Sequence, residues 1–208
     1  MSDIIKIALP YGDYEKKFYE ILDFTGLHHN SNLYVEKKNI EEGICVYPVN
    51  HLDIITCVER GAVDIGIVST DILMEYRSKV LELMDFKLEK MYIGLIAKNN
   101  FVDDISKSLR VATKYPNIAM DYFLKQCRDI DIIKMHDFPE ISLNIDMADV
   151  VLDVLESEDI LKKNDLELID VIKNIGFHLI SNVSSFHFKS NRIEKFINRL
   201  KLNVDRIL

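Results

Sequence analysis

Asp149-Val150-Val151-Leu152-Asp153-Val154-Leu155-Glu156-Ser157-Glu158-Asp159-Ile160-Leu161-Lys162-Lys163-Asn164 joins an apolar run to a charged turn and then to a helix-forming segment. Residues 150–155 are short, β-branched and interrupted only by Asp153, which suits a strand buried on both faces. A strand that ends in a polar turn before a helix is where open α/β sheets bind ligands. The free N–H groups of the helix start attract anions. Asp153 is the odd residue. A buried carboxylate without a partner is costly, so it is expected to point out of the sheet end toward a donor or a ligand. The same turn also opposes an anion, because eleven acidic residues face two lysines between Asp137 and Asp170. A phosphate here would meet Glu158 and Asp159. The purely structural alternative is that Ser157 caps the helix while Glu158 and Asp159 complement its dipole.

Outward from this stretch the chain alternates strands and helices. Residues 4–9, 44–46, 63–68, 91–97, 109–113, 130–135 and 177–182 read as strands, with a short one near 33–35. Helices are expected over 14–24, capped by Asp13, and over 50–60, stopped by Gly61. A further helix is expected over 72–77, with Thr70 or Asp71 as its cap. Pro116 suits the first position of a helix that runs to about Cys127, and a short helix follows at 140–145. Residues 166–175 read as helical or partly extended. Ser190 and Asn191 with Glu194 resemble a capping box for a last helix to about Leu202. The pattern implies a parallel α/β fold. One βα set is inserted into another, giving residues 1–90 plus 178–208 as lobe I and 91–177 as lobe II. Two lobes imply a cleft, which is a usual ligand site.

Composition sets bounds on this reading. At 208 residues with 48% apolar content, seven Gly and four Pro, the chain can bury one large core or two small ones. A net charge of −8 argues against nucleic acid or an anionic membrane as the main partner. Cys45, Cys57 and Cys127 are odd in number and lack paired metal spacing. They are expected to be buried thiols in a reducing cytoplasm. No apolar stretch approaches the ~18 residues of a membrane span. His28 and His29 read as solvated, and His178 and His187 are expected to pack or cap, so no metal site is expected. Asp103 and Asp104 read as solvated surface.

Four stretches together resemble a known family: Ile5-Lys6-Ile7-Ala8-Leu9-Pro10 followed by Gly12; Gly61-Ala62-Val63-Asp64-Ile65-Gly66-Ile67-Val68 followed by Asp71; Leu109-Arg110-Val111-Ala112-Thr113-Lys114-Tyr115-Pro116-Asn117; and Ala148 to Asp153 with Glu156 and Ser157. The chain resembles the short-form ATP phosphoribosyltransferases of histidine biosynthesis from residue 4 to about 185. That resemblance implies two lobes around a cleft, as in type II periplasmic binding proteins. It implies a Mg²⁺-assisted reaction in which N1 of ATP attacks C1 of phosphoribosyl diphosphate and releases pyrophosphate. It also implies a cytoplasmic oligomer with a histidyl-tRNA-synthetase-like regulatory subunit. Asp153 and Glu156 match the acidic pair that would hold the ribose. Ser157, Glu158, Asp159, Ile160 and Leu161 match the turn that would hold the 5′-phosphate. Tyr11, Gly12, Asp71, Thr113 and Lys114 match further substrate-binding positions.

The chain departs from that pattern where phosphates should bind. The family turn reads Glu-Thr-Gly-x-Thr, whereas here Glu158 replaces the glycine and Ile160 the second hydroxyl. Tyr11 and Asp13 replace a lysine and an arginine that flank the glycine after Pro10. Asn50 and Tyr92 stand at arginine positions, and Ser69 replaces a glycine. These changes remove cations and add anions, so impaired activity is expected. The alternative is a non-catalytic paralogue that acts as a partner subunit or binds a less anionic ligand, since fold alone does not dictate function.

Overall fold

Strand β1 (Ile5–Pro10) is apolar on both faces because it lies inside a sheet rather than at an edge, and five of its six residues are buried. The computed structural model describes residues 4–11, 38–40, 43–87, 91–157 and 159–204. The helix expected over 14–24, the strand near 33–35, and the His28-His29 pair lie outside these residues. Chain contacts divide the molecule into two units. Unit 1 comprises Met1–Leu73, Arg77–Leu88 and Phe177–Leu208, and unit 2 comprises Met74–Tyr76 and Glu89–Gly176.

In unit 1, β1 pairs in parallel with β3 (Ile44–Val49) and β4 (Ile65–Ser69). β2 (Lys38–Ile40) joins antiparallel to β3. On the other side β11 (Phe177–Ser181) runs antiparallel to both β4 and β5 (Leu81–Asp85). The sheet is therefore mixed, which corrects the all-parallel expectation. A strand returning from unit 2 is not bound by the right-handed βαβ crossover that makes neighbours parallel. Helix α1 (His51–Glu59) starts at Asn50, whose side chain accepts from Leu52 N, and buries Ile54, Ile55 and Val58. It sits close on β4, because a Cβ at Gly66 would lie 2.6 Å from Ile54 Cγ2. Gly61, at φ +69°, ends this helical segment as expected.

Helix α2 (Thr70–Tyr76) is preceded by Ser69, so neither Thr70 nor Asp71 is its cap. The last helix, α6 (Val183–Val204), runs through the capping box expected at Ser190. Its start is held by Asn182, whose Oδ1 accepts from Ser184 N at 2.9 Å and Ser185 N at 3.1 Å. The misread signal marks a kink at Lys189 (φ −123°, ψ 21°). There the Lys189 Nζ donates to Asp64 Oδ2 and Ile4 O, both at 2.8 Å.

In unit 2 the strand order is β10 (Leu166–Ile175), β6 (Met91–Lys98), β9 (Val150–Leu155), β7 (Leu109–Thr113), β8 (Ile130–Lys134). β9, β7 and β8 are mutually parallel, while β6 is antiparallel to both β9 and β10. The quoted run at 150–155 is the central strand of this sheet, with Val150, Val151 and Leu152 fully buried. Helices α3 (Pro116–Lys125), α4 (Ile141–Asn144) and α5 (Asp159–Lys163) follow β7, β8 and β9. β10 resolves the ambiguity at 166–175 in favour of strand. Register shifts between Leu168 and Asp170 and between Val171 and Lys173 break its two-residue period.

Of the cysteines only Cys45 is buried, and Cys127 is exposed, so the buried-thiol expectation is corrected. Cys127 follows α3 at φ +53°, in the turn where that helix ends. Asp103 is not merely solvated either. It pairs with Arg128 at 2.7 Å, while Ser106 and Lys107 draw the Asp104 carboxyl down to about 2.

Candidate active site

The site in unit 2 is built where the parallel strands β7 and β9 end side by side, with Thr113 opposite Leu152. The fully buried Thr113 Oγ1 donates to Leu152 O at 2.7 Å and accepts from Tyr115 N at 2.8 Å. Both bonds are local, so this hydroxyl fixes the strand end and the turn into α3. Lys114, the next residue, sends Nζ to within 3.2 Å of Asp153 Oδ2. Asp153 is 3% exposed, and its Oδ1 accepts from Val154 N at 2.8 Å. Lys114 is thus the donor that the odd carboxylate required. Burial pushes the Asp153 carboxyl above its usual range, against the pull of Lys114 and the Val154 N–H, and Glu140 adds to the upward push.

Beyond β9, Glu156, Ser157 and Asp159 are exposed. Glu158 and the side chain of Ile160 lie outside the described residues. Leu161 is 2% exposed and packs with Ile96, Ala112, Val151 and Leu166. Its side chain serves the core, which leaves only its backbone N–H for a ligand. The start of α3 is occupied from within the same unit. The Glu75 carboxylate accepts from Asn117 N at 3.0 Å and Ile118 N at 3.1 Å, and Asn117 Nδ2 donates to Glu75 O. A helix start that could attract an anion already holds one.

In unit 1, Tyr11 is 55% exposed and its hydroxyl accepts from Asn50 Nδ2 at 3.4 Å. These two neutral residues, both at expected cation positions, meet at the ends of the parallel strands β1 and β3. Asp71 is buried in the first turn of α2. Gly12 lies outside the described residues. Arg110 belongs to neither place. At the opposite end of β7 it forms a fork with Asp149, Nη2 to Oδ1 at 2.6 Å and Nε to Oδ2 at 3.1 Å, and Nη1 donates to Asp146 O. Among the described residues, no three His, Cys, Asp or Glu side chains converge into a metal-binding group.

The family model described as ATP phosphoribosyltransferase matches residues 50–202. The ATP phosphoribosyltransferase of Brachyspira hyodysenteriae is 34% identical over 203 residues, covering 95% of this chain and 98% of that one. The Clostridium kluyveri protein of the same name is 33% identical, covering 98% and 95%. The chain belongs to the ATP phosphoribosyltransferase family. Its fold is similar to that in a solved ATP phosphoribosyl transferase (HisG:HisZ) complex from Thermotoga maritima, with TM-score 0.87, 24% identity, and coverage of 98% of this chain and 100% of that one. A more distant likeness is to the Bordetella pertussis BvgS VFT2 domain, with TM-score 0.56, 11% identity, and coverage of 98% and 93%. The fold class is two α/β lobes of the type II periplasmic-binding-protein kind, as the resemblance implied.

Within the ATP phosphoribosyltransferase pattern, Asp153 and Lys114 are brought together, and Thr113 supports them. One constellation escaped the sequence reading: His178 lies between Thr70 and Glu82. No local signal joins residues 70, 82 and 178. Strand pairing of β4, β11 and β5 does so.

Proposed function

We propose that this member of the ATP phosphoribosyltransferase family transfers the phosphoribosyl group of phosphoribosyl diphosphate to N1 of ATP, the first step of histidine biosynthesis. The N1 lone pair forms the bond to C1, the C1–O bond breaks, and its electron pair leaves on pyrophosphate. The observation that carries the reading is the Lys114–Asp153 pair at adjacent parallel strand ends. Asp153 would accept from ribose hydroxyls, and its buried charge would act strongly on positive charge developing at C1. Glu156 would take the second ribose contact. Ser157 and the backbone N–H groups after it would take the 5′-phosphate, and Lys114 would balance the acidic pair. Mg²⁺ would enter as part of the substrate, on the diphosphate oxygens, because the described side chains offer no cage for a resident ion.

A slow rate fits the charge balance of this site, with Glu156 and Asp159 exposed at the turn and Glu75 on the start of α3. Those anions also favour the second reading, a non-catalytic paralogue that binds a less anionic ligand or serves as a partner subunit. In either reading a histidyl-tRNA-synthetase-like subunit is the expected partner, in line with the complex named for the Thermotoga protein. Pyrophosphate release from ATP and phosphoribosyl diphosphate, assayed with and without such a subunit, tests the reaction. Release above background supports transfer. Saturable binding of phosphoribosyl diphosphate without release supports the paralogue.

A further inference from the structure

His178 on β11 joins three elements of unit 1 through both ring nitrogens. Nδ1 lies 2.8 Å from Glu82 Oε1 on β5, and Nε2 lies 2.9 Å from Thr70 Oγ1 at the start of α2. An ionised carboxylate only accepts, so Nδ1 carries a proton, and Nε2 of the neutral ring accepts from the Thr70 hydroxyl. The contact holds Thr70 Oγ1 against the ring. The relay is graded in exposure: the Glu82 side chain is 55% exposed, the ring 12%, and Thr70 is buried. The ring is satisfied at both nitrogens and so ties β11 to β5 and to the start of α2.

The residue after Thr70 is Asp71, 5% exposed, with no hydrogen bond or ion pair to its carboxylate among the described residues. A carboxylate that none of the described residues supplies with a donor is open to the hydroxyl or amino groups of a ligand. We propose that Glu82, His178 and Thr70 form a positioning relay that fixes the β4–α2 corner and so aims Asp71 at hydroxyl or amino donors of the nucleotide substrate. This rests on the functional reading above and adds a positioning role for His178.

The test is the dissociation constant for ATP of the full chain by calorimetry, alongside Tm. Thr70→Val is expected to weaken ATP about tenfold, or 1.4 kcal/mol, with Tm nearly unchanged. Thr70→Ser, which restores the hydroxyl, is expected to bind as wild type. Because the relay acts through Asp71, Thr70→Val is expected to add nothing on top of Asp71→Asn. Should Thr70→Val fail to fold, Glu82→Ala cuts the relay from its exposed end and is expected to weaken ATP several-fold. ATP binding that Asp71→Asn weakens but Thr70→Val and Glu82→Ala do not overturns the relay alone. Full additivity of Thr70→Val with Asp71→Asn also overturns it. Wild type that binds no ATP, or Asp71→Asn that binds as wild type, overturns the reading beneath it and the relay with it.

Discussion

Lys114 Nζ stands 3.2 Å from Asp153 Oδ2, each residue at the C-terminal part of a parallel strand or just beyond it, with Asp153 buried and Lys114 a third exposed. The pair is unequal, because burial raises the Asp153 carboxyl despite its partner. The folded state therefore disfavours the ionised form of Asp153 relative to the unfolded chain.

That inequality gives opposite expectations for the two partners. Lys114→Met leaves a buried carboxylate alone and is expected to cost about 1–3 kcal/mol, less than a fully buried pair would because Lys114 is partly exposed. Asp153→Asn removes the charge and is expected to leave the fold as stable or about 0.5–2 kcal/mol more so. The pH dependence follows from the raised folded pKa. In the Lys114→Met variant the Asp153 contribution to stability should be fully present below the unfolded carboxylate value of about 3.9 and be lost as pH rises through the raised folded pKa, so the cost of the substitution should grow with pH over that range. Denaturant melts at several pH values check both signs, and an Asp153→Asn variant that fails to fold contradicts them.

Asp64 shows the reverse sign. Burial alone would raise it, but hydrogen bonds from Lys189, Lys6 N and Ser185 outweigh that and hold it below its usual range. Its contribution is therefore present above about pH 3.9 and is lost as pH falls through the lower folded pKa. Lys189→Met is expected to cost about 2–4 kcal/mol at neutral pH and to move the acid-unfolding midpoint upward. Circular dichroism during acid titration measures it. An unmoved midpoint would mean that the kink in α6 is held by something other than this pair.

Arg110 supplies the contrast. Its fork to Asp149 ties the starts of β7 and β9, away from the proposed site. Arg110→Lys loses the bidentate geometry and is expected to cost about 1 kcal/mol, since both side chains are partly exposed. Affinity for phosphoribosyl diphosphate should stay within about twofold of wild type. A tenfold loss would place Arg110 in the binding machinery.

The acidic turn offers a gain of function. Glu158→Gly with Ile160→Thr restores the glycine and hydroxyl of the family turn. Relief of carboxylate–phosphate repulsion contributes on the order of 1–4 kcal/mol. A hydroxyl–phosphate hydrogen bond adds about 1.5–3 kcal/mol. Affinity for phosphoribosyl diphosphate should rise roughly ten- to a few thousand-fold at fixed Mg²⁺ and ionic strength, after a discount for imperfect geometry. A weaker complex would mean that Glu158 itself holds the ligand.

The central strands and their order along the chain were legible because β-branched apolar runs bounded by Gly, Pro and charged turns leave few alternatives. Residues 150–155 were read as a doubly buried strand and are one. That Asp153 needs a partner was legible, because a carboxylate in such a run is costly alone, and Lys114 is that partner. Three features were not legible. Strand direction for β6 and β11 depends on pairing between distant segments. The β10 bulges erased the alternation that identifies a strand, and β5, only Leu81–Asp85, had too little pattern to be assigned. The capping signal at Ser190 was real chemistry at the wrong scale, since the helix bends there rather than begins. Thr113 looked like a ligand donor, but its hydroxyl is spent on Leu152 O and Tyr115 N. The relay at His178 had no local signature at all.

The most direct measurement is calorimetric titration of wild type and Asp153→Asn with phosphoribosyl diphosphate and Mg²⁺. Saturable binding by wild type and none by Asp153→Asn at the same concentrations, with both variants folded, is the expected result. Equal binding by the two, or none by wild type, would contradict the assignment of the Lys114–Asp153 strand ends as the phosphoribosyl site.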